Sequence, residues 1–243
     1  MLADGRYSKA FFDLQLSFAE KVAELSGLPY AHAVLGYTNF YIRFGLGRAF
    51  DPAHPRWREY VEGLGDGNDR QDWTYRFYLA RPHAVAPPGL VASFGCFSYA
   101  WLSEDRIRLH FQNAETDGLS PLRMERRDQR RSELAALFAD VRRTRGIPVR
   151  VVGASWLYNI VAYRRLFPEA YLATARVAER RFRHMPLWGQ FVNRHGDVRE
   201  DAVRQFRDRL AQQSTLEHVD ECFPFQVLRL ESPAAEFYDF FGV

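Results

Sequence analysis

The chain has 243 residues, a length that one hydrophobic core or two unequal lobes can accommodate. Its composition, with 47% hydrophobic and 26% charged residues, excludes a disordered chain, and its 15% aromatic content is enough for a large core. The net charge of +3 does not by itself indicate a nucleic-acid partner. We expect one domain over residues 1–243, with residues 1–65 as a helical N-terminal subregion.

Membrane and secreted proteins are disfavoured classes. The sequence has no uncharged apolar run of about 18 residues or more, so no membrane partner is expected. Asp13, Glu20 and Lys21 interrupt the first apolar stretch, which is atypical of a secretion signal. Two cysteines, Cys96 and Cys222, cannot form a disulfide framework or a four-thiolate zinc site. These features predict a cytoplasmic location.

Apolar residues at helical spacing predict helices in the first third of the chain. Phe11, Leu14, Phe18, Val22 and Leu25 form one stripe, and Gly27 and Pro29 end that helix. A second helix is expected from Tyr30 to Phe44, and a short one over residues 57–64.

The middle of the chain changes to period two, which is typical of half-buried antiparallel strands. Three strands are predicted, the first at Tyr75, Phe77 and Leu79, the second over residues 94–102, and the third from Ile107 to Phe111. The proline-rich segment 82–89 and the polar residues 103–105 fit as connectors.

The last third alternates helix and strand. A long helix is expected from Pro121 to Arg145, with Ser120 as its N-cap. After it the pattern predicts a buried strand at 149–152, a helix at 158–167, a strand at 171–177, a helix at 199–212 and a strand at 225–230. The predicted fold is α/β (α+β): N-terminal helices, then a mixed sheet whose three antiparallel strands are followed by alternating helix and strand.

Two short motifs have simpler explanations than catalysis. Gly153-Ala154-Ser155 follows a buried strand like half of a nucleophile elbow, but Leu157 stands where glycine is required. Arg194-His195-Gly196 contains the residues of a phosphohistidine motif, but it lies late in the chain before a helix. A tight turn and a loop explain these segments better.

The segment after the third strand is a candidate anion site. A polar loop from Gln112 and Asn113 to Gly118 leads into the N-terminus expected at Ser120, where free N–H groups favour phosphate. An ordinary loop explains the same residues equally well. Nucleotide-binding glycine fingerprints are missing from the sequence.

Arginine supplies nearly all the positive charge, because lysine occurs only at positions 9 and 21. A GC-rich genome explains this bias better than a functional demand for guanidinium groups. The arginines at 123, 126, 127, 130 and 131 alternate with acids, which is typical of a solvated helix face and makes a nucleic-acid partner a minority interpretation. The seven histidines are scattered, so no metal site is predicted.

The order of elements resembles the Gcn-related N-acetyltransferase superfamily: antiparallel strands, a long helix, a buried strand, a shorter helix and further strands. Asn159 and Ala162 match that family's Asn-x-x-Ala pattern, whereas Leu166 replaces its tyrosine. The family's pyrophosphate loop, a Gln/Arg-x-x-Gly-x-Gly/Ala pattern, is absent.

This resemblance implies acyl transfer from acetyl-CoA or another acyl-CoA to a small-molecule substrate. It places the thioester near Gln112 and Asn113, the pyrophosphate over the helix N-terminus at Gly118 and Ser120, and the pantetheine arm on Asn159. The remaining roles, by position, are His110 as base and Tyr158 or Tyr163 as general acid.

Two alternatives stay open. One is a non-catalytic ligand-binding or protein-interaction module, in which the aromatic residues of the second helix pack internally or form a homodimer interface. The other is an arginine-mediated binder of phosphate or RNA.

Overall fold

The computed structural model describes residues 6–47, 49–65, 67, 69–81, 90–144, 148–178, 187–193 and 195–243. In chain order the elements of these parts are α1 (Lys9–Ser26), α2 (Tyr30–Tyr37), α3 (Phe40–Arg43), α4 (Pro55–Gly65), α5 (Arg70–Leu79), β1 (Leu90–Phe94), β2 (Phe97–Ser103), β3 (Arg106–Phe111), α6 (Arg127–Thr144), β4 (Arg150–Ser155), α7 (Val161–Arg164), α8 (Glu169–Ala173), β5 (Arg176–Val177), α9 (Glu200–Ala211), β6 (Leu228–Pro233) and α10 (Ala235–Phe241).

The chain divides into two compact units. The helical unit takes its described residues from 6–81 and 187–224, and the sheet unit takes them from 90–178 and 225–243. The helical subregion expected at residues 1–65 is therefore part of a larger helical unit. None of the described helices has the length and apolar content needed to cross a membrane.

The helical unit is built around α1, which confirms the first predicted helix. Its apolar stripe is buried, and Gly27 ends it at φ 69°, donating its N–H to the carbonyl of Ala23. The ring of Phe18 contacts those of Trp188, Phe206 and Phe223 within 6 Å. An aromatic core thus joins segments that are distant in sequence.

The second predicted helix is interrupted between α2 and α3. Thr38 donates its hydroxyl to the carbonyl of Val34, and the Asn39 N–H donates to Oε1 of buried Gln15. These bonds satisfy the Val34 carbonyl, the Thr38 hydroxyl and the Asn39 N–H at the break.

The strand predicted around Tyr75, Phe77 and Leu79 is wrong, because these residues belong to α5. The Asp69 carboxylate accepts from the N–H groups of Gln71 and Asp72 and so caps a helix. Trp73 and Phe77 are one helical turn apart and their rings pack together. Because aromatic residues lie on both faces of α5, its sequence shows an alternation like that of a half-buried strand.

The sheet has the order β1-β2-β3-β4-β6-β5. β1, β2 and β3 are antiparallel, β3 and β4 are parallel, and β6 lies antiparallel between β4 and β5. The mixed sheet confirms the predicted α+β class. Its first predicted strand is replaced by β1, which follows the proline-rich segment, and a tight turn at Gly95 and Cys96 separates β1 from β2.

Several predicted boundaries shift in the sheet unit. The long helix starts at Arg127 instead of Pro121, after a loop and a 3-10 turn at Met124–Arg126. The helix predicted at 158–167 is a 3-10 turn at Trp156–Asn159 followed by α7. The strand predicted at 171–177 is helix α8 with a two-residue β5. The C-terminal α10 was not predicted.

The core of the sheet unit lies under α6. Leu134, Leu137, Phe138 and Val141 are fully buried with inward-facing residues of β2, β3 and β4. The ring of Phe138 stacks on Phe237 of α10 at 4.4 Å between centroids. This packing holds the second half of α6 against α10.

Candidate functional site

The first two turns of α6 border a groove of about 430 Å³, which we call the α6–α7 groove. Its polar lining is four arginines and one acid, Arg127, Arg131, Arg164, Arg165 and Glu169. Its apolar lining is Val161, Phe167, Leu172 and Phe240. A concave site of this size with a few convergent charges on an apolar floor suits a small anionic ligand.

The arginines around the N-terminus of α6 fall into two sets. Arg126 forms ion pairs with Glu115 and Asp117, and buried Arg130 pairs with Glu115 and Glu133. Each following residue in the helix, Arg127 and Arg131, lines the groove instead. The loop-facing arginines are therefore neutralised, while the groove-facing ones are not.

The groove arginines form no ion pair with any described residue. The guanidinium of Arg131 lies 4.5 Å from the ring centroid of Phe240. Arg165 donates to the carbonyl of Leu122 and lies 3.1 Å from the sulfur of Met124, and its buried Nε has no hydrogen-bond partner. Arg127 and Arg164 are exposed. Four guanidinium groups against the single carboxylate of Glu169 in the lining make a local excess of positive charge, which the N-terminus of α6 reinforces.

The predicted anion site in the preceding loop is filled by the protein's own carboxylates. Glu115 bridges Arg126 and Arg130, and Arg130 also contacts the sulfur of Cys96. Ser120 is not at the N-terminus of an α-helix; its Oγ accepts from the N–H of Leu122 at 3.4 Å. The helix N-terminus expected at Pro121 is thus displaced to Arg127, and the anion site predicted there stays a prediction.

The remaining loop residues serve local structure. Gln112 is exposed, and its N–H donates to the carbonyl of Cys96. Oδ1 of Asn113 accepts from the N–H of Glu115, and Gly118 turns the chain at φ 73°. The ligand contacts predicted for these residues stay predictions.

The parallel strands β3 and β4 separate along their length. They pair only from Arg106–Arg150 to Arg108–Val152, and both continue for three more residues without pairing to each other. His110 lies on this part of β3, half-buried and opposite Ser98 of β2. A crevice between the carboxyl ends of parallel strands is where α/β sheets bind ligands.

Tyr158 and Tyr163 lie in the core beside this crevice. Their side chains are 2% exposed and their rings touch at 5.1 Å between centroids. Tyr158 shares a 2.8 Å hydrogen bond with the hydroxyl of Tyr171. Burial raises the pKa of both Tyr158 and Tyr163 well above the ordinary value, so both are protonated at neutral pH.

Gly153 of β4 faces this tyrosine cluster. A Cβ at position 153 would overlap the hydroxyl oxygens of Tyr158 and Tyr171. The missing side chain therefore makes room for two tyrosines. The Ser155 hydroxyl accepts from the N–H of Leu157 and caps the following turn, which confirms the turn interpretation of this motif.

The side chain of Asn159 forms hydrogen bonds to the protein backbone. Its side-chain amide donates to the carbonyls of Trp156 and Gln226, each at 2.8 Å. These bonds tie the turn after β4 to the segment before β6. Of the second short motif, Arg194 lies outside the described residues, while the N–H of His195 donates to Asn193 in a loop.

The sequence alone does not reveal the groove, because the charge pattern places Arg127 and Arg131 on a solvated face and Arg164 and Arg165 form no recognised motif. The only local signal is the Tyr-Arg-Arg run on α7. No group of metal-ligating side chains occurs among the residues that the structure describes. The chain matches no protein-family model, no curated protein and no solved structure.

Proposed function

We propose that the α6–α7 groove binds the anionic part of a small-molecule ligand, and that this ligand is an acyl-CoA whose acyl group the protein transfers. The observation that carries the proposal is the set of four groove arginines, Arg127 and Arg131 on α6 with Arg164 and Arg165 at the end of α7, which outnumber the one carboxylate of the lining. Guanidinium groups suit phosphate because they offer several donors in a fixed plane.

The order of the sheet-unit elements supports the same proposal. Three antiparallel strands, the long α6, the buried β4 and the short α7 follow one another, as in the family that the sequence resembles. The crevice between β3 and β4 offers unpaired strand edges that an extended ligand arm can contact. Fold-level similarity alone does not carry a function, so the groove chemistry remains the main argument.

In the proposed reaction an acceptor amine attacks the thioester carbonyl, the C–S bond breaks, and the sulfur leaves as a thiol after taking up a proton. His110 is the proposed base for the amine proton. Tyr158 or Tyr163 is the proposed acid by position beside the β3–β4 crevice, and burial keeps each hydroxyl protonated at neutral pH. Full activity of His110→Ala would remove His110 from this scheme.

The first test combines binding with turnover. Saturating CoA or acetyl-CoA at about a hundred times its Kd should stabilise the chain by about 2.7 kcal/mol and raise its Tm by about 5–10 °C. Thiol release in the presence of a panel of amines then reports acyl transfer. Binding without thiol release would favour the non-catalytic ligand-binding module, and no shift at millimolar ligand would refute the acyl-CoA proposal.

A simple phosphate binder is the second candidate, because unpaired arginines recognise any phosphate ester. The same assay with inorganic phosphate and with RNA separates these ligands. RNA binding through phosphate contacts must weaken steeply with added salt. An RNA affinity that hardly changes with salt would exclude this candidate.

A further inference from the structure

The two most exposed large hydrophobic side chains among the described residues adjoin the α6–α7 groove. Val161 is 79% exposed and lines the groove, and Met124 is 65% exposed with its sulfur 3.1 Å from Nη1 of Arg165. Single exposed apolar residues are common on protein surfaces. Here the two most exposed apolar side chains lie beside the groove arginines, so one partner can contact the apolar and the charged groups together.

We propose that the rim of the α6–α7 groove docks on an anionic phospholipid bilayer. In this contact Val161 and Met124 enter the boundary between head groups and acyl chains. The groove arginines contact the lipid phosphates around them. The docking is separate from acyl transfer and would hold without it.

The arrangement of charge and apolar surface favours a bilayer over a small anion. A small phosphate ester neutralises the arginines but leaves Met124, outside the groove, in water. A lipid surface presents phosphates directly beside apolar chains, which matches cations and apolar groups only a few ångströms apart. Four arginines against one glutamate give the groove the sign that anionic lipids attract. Such docking is peripheral and requires no spanning helix.

The test is sedimentation of the full chain with vesicles of phosphatidylcholine alone and of phosphatidylcholine with phosphatidylglycerol. The wild type should bind only the anionic vesicles, and more weakly as salt is added. Met124→Ser with Val161→Ser should lower the partition coefficient by about tenfold, because two inserting side chains are lost. The matched control is Leu102→Ser, since Leu102 is 54% exposed but lies on β2 and does not line the groove.

Absence of wild-type binding to anionic vesicles would overturn the proposal. Equal loss in Leu102→Ser, or none in the double variant, would also overturn it by removing the rim from the contact. Titration of the wild type with CoA in the absence of vesicles separates the two proposals. CoA binding without vesicle binding would refute the docking proposal but not the acyl-transfer proposal. Vesicle binding without CoA binding would refute the acyl-transfer proposal but not the docking proposal.

Discussion

Arg126 and Arg127 are adjacent in sequence, yet Arg126 is held by the carboxylates of Glu115 and Asp117 while Arg127 faces the α6–α7 groove without a counter-ion. The same division recurs one turn later at Arg130 and Arg131. A buried ion-pair network therefore anchors the start of α6, and the adjacent residues are left to bind a ligand. The two sets should respond differently to mutation.

Arg130→Ala should destabilise the chain by about 3 kcal/mol. Arg130 is 1% exposed and pairs with Glu115 and Glu133, so its removal leaves the largely buried Glu133 without a cation and Glu115 with Arg126 alone. Urea unfolding measures the change. Arg131→Ala is the neighbouring control and should cost less than about 1 kcal/mol, because Arg131 forms no ion pair with a described residue. Equal losses of unfolding free energy in the two variants would contradict the separation of ion-paired arginines from groove arginines.

Gly153→Ala should destabilise the chain by about 1–3 kcal/mol through overpacking against Tyr158 and Tyr171. The cost should shrink in a background carrying Tyr158→Phe and Tyr171→Phe, because both obstructing hydroxyls are then absent. Chemical denaturation of the four variants measures this coupling. An unchanged cost in the phenylalanine background would show that the tyrosine hydroxyls do not constrain Gly153.

The stability of the sheet unit should fall in acid through Glu231. Its bond from Arg150, with further arginines nearby, lowers the pKa of Glu231 below its ordinary value of 4.5. A lowered carboxyl pKa stabilises the fold above the ordinary value, and this contribution is lost as pH falls through the folded-state pKa. Glu231→Gln should flatten the acid limb of a stability–pH profile. A parallel profile for the variant would contradict this assignment.

The sequence predicts correctly the helices and strands whose apolar residues recur with a single period. It fails for elements whose aromatic residues lie on two faces. β3 and α9 appear as expected, whereas the 70–79 segment is helical because the Asp69 cap and the Trp73–Phe77 pair outweigh an apparent alternation. Local pattern also placed the long helix six residues too early. The carboxylates of Glu115 and Asp117 hold the residues that precede it in another conformation.

The candidate site was harder to predict because it depends on convergence between distant segments. His110, Tyr158 and Tyr163 were named from their positions, and two of them lie together beside the β3–β4 crevice. The groove brings α6, α7 and α10 together, and the arginines of α6 and α7 that line it are more than thirty positions apart. No spacing rule within one segment distinguishes Arg127 from Arg126; only the location of Glu115 does.

The most direct test of the central claim is a calorimetric titration of CoA into the wild type, Arg127→Ala/Arg164→Ala and the control Arg204→Ala. Arg127 and Arg164 are exposed, so their loss should leave the fold intact, and Arg204 is an exposed helical arginine of the helical unit. Charge-assisted hydrogen bonds contribute about 1.5–3 kcal/mol each, so the double variant should bind at least about a hundredfold more weakly while the control is unchanged. Equal affinity in all three proteins, or no wild-type binding, would contradict the assignment of the groove as the ligand site.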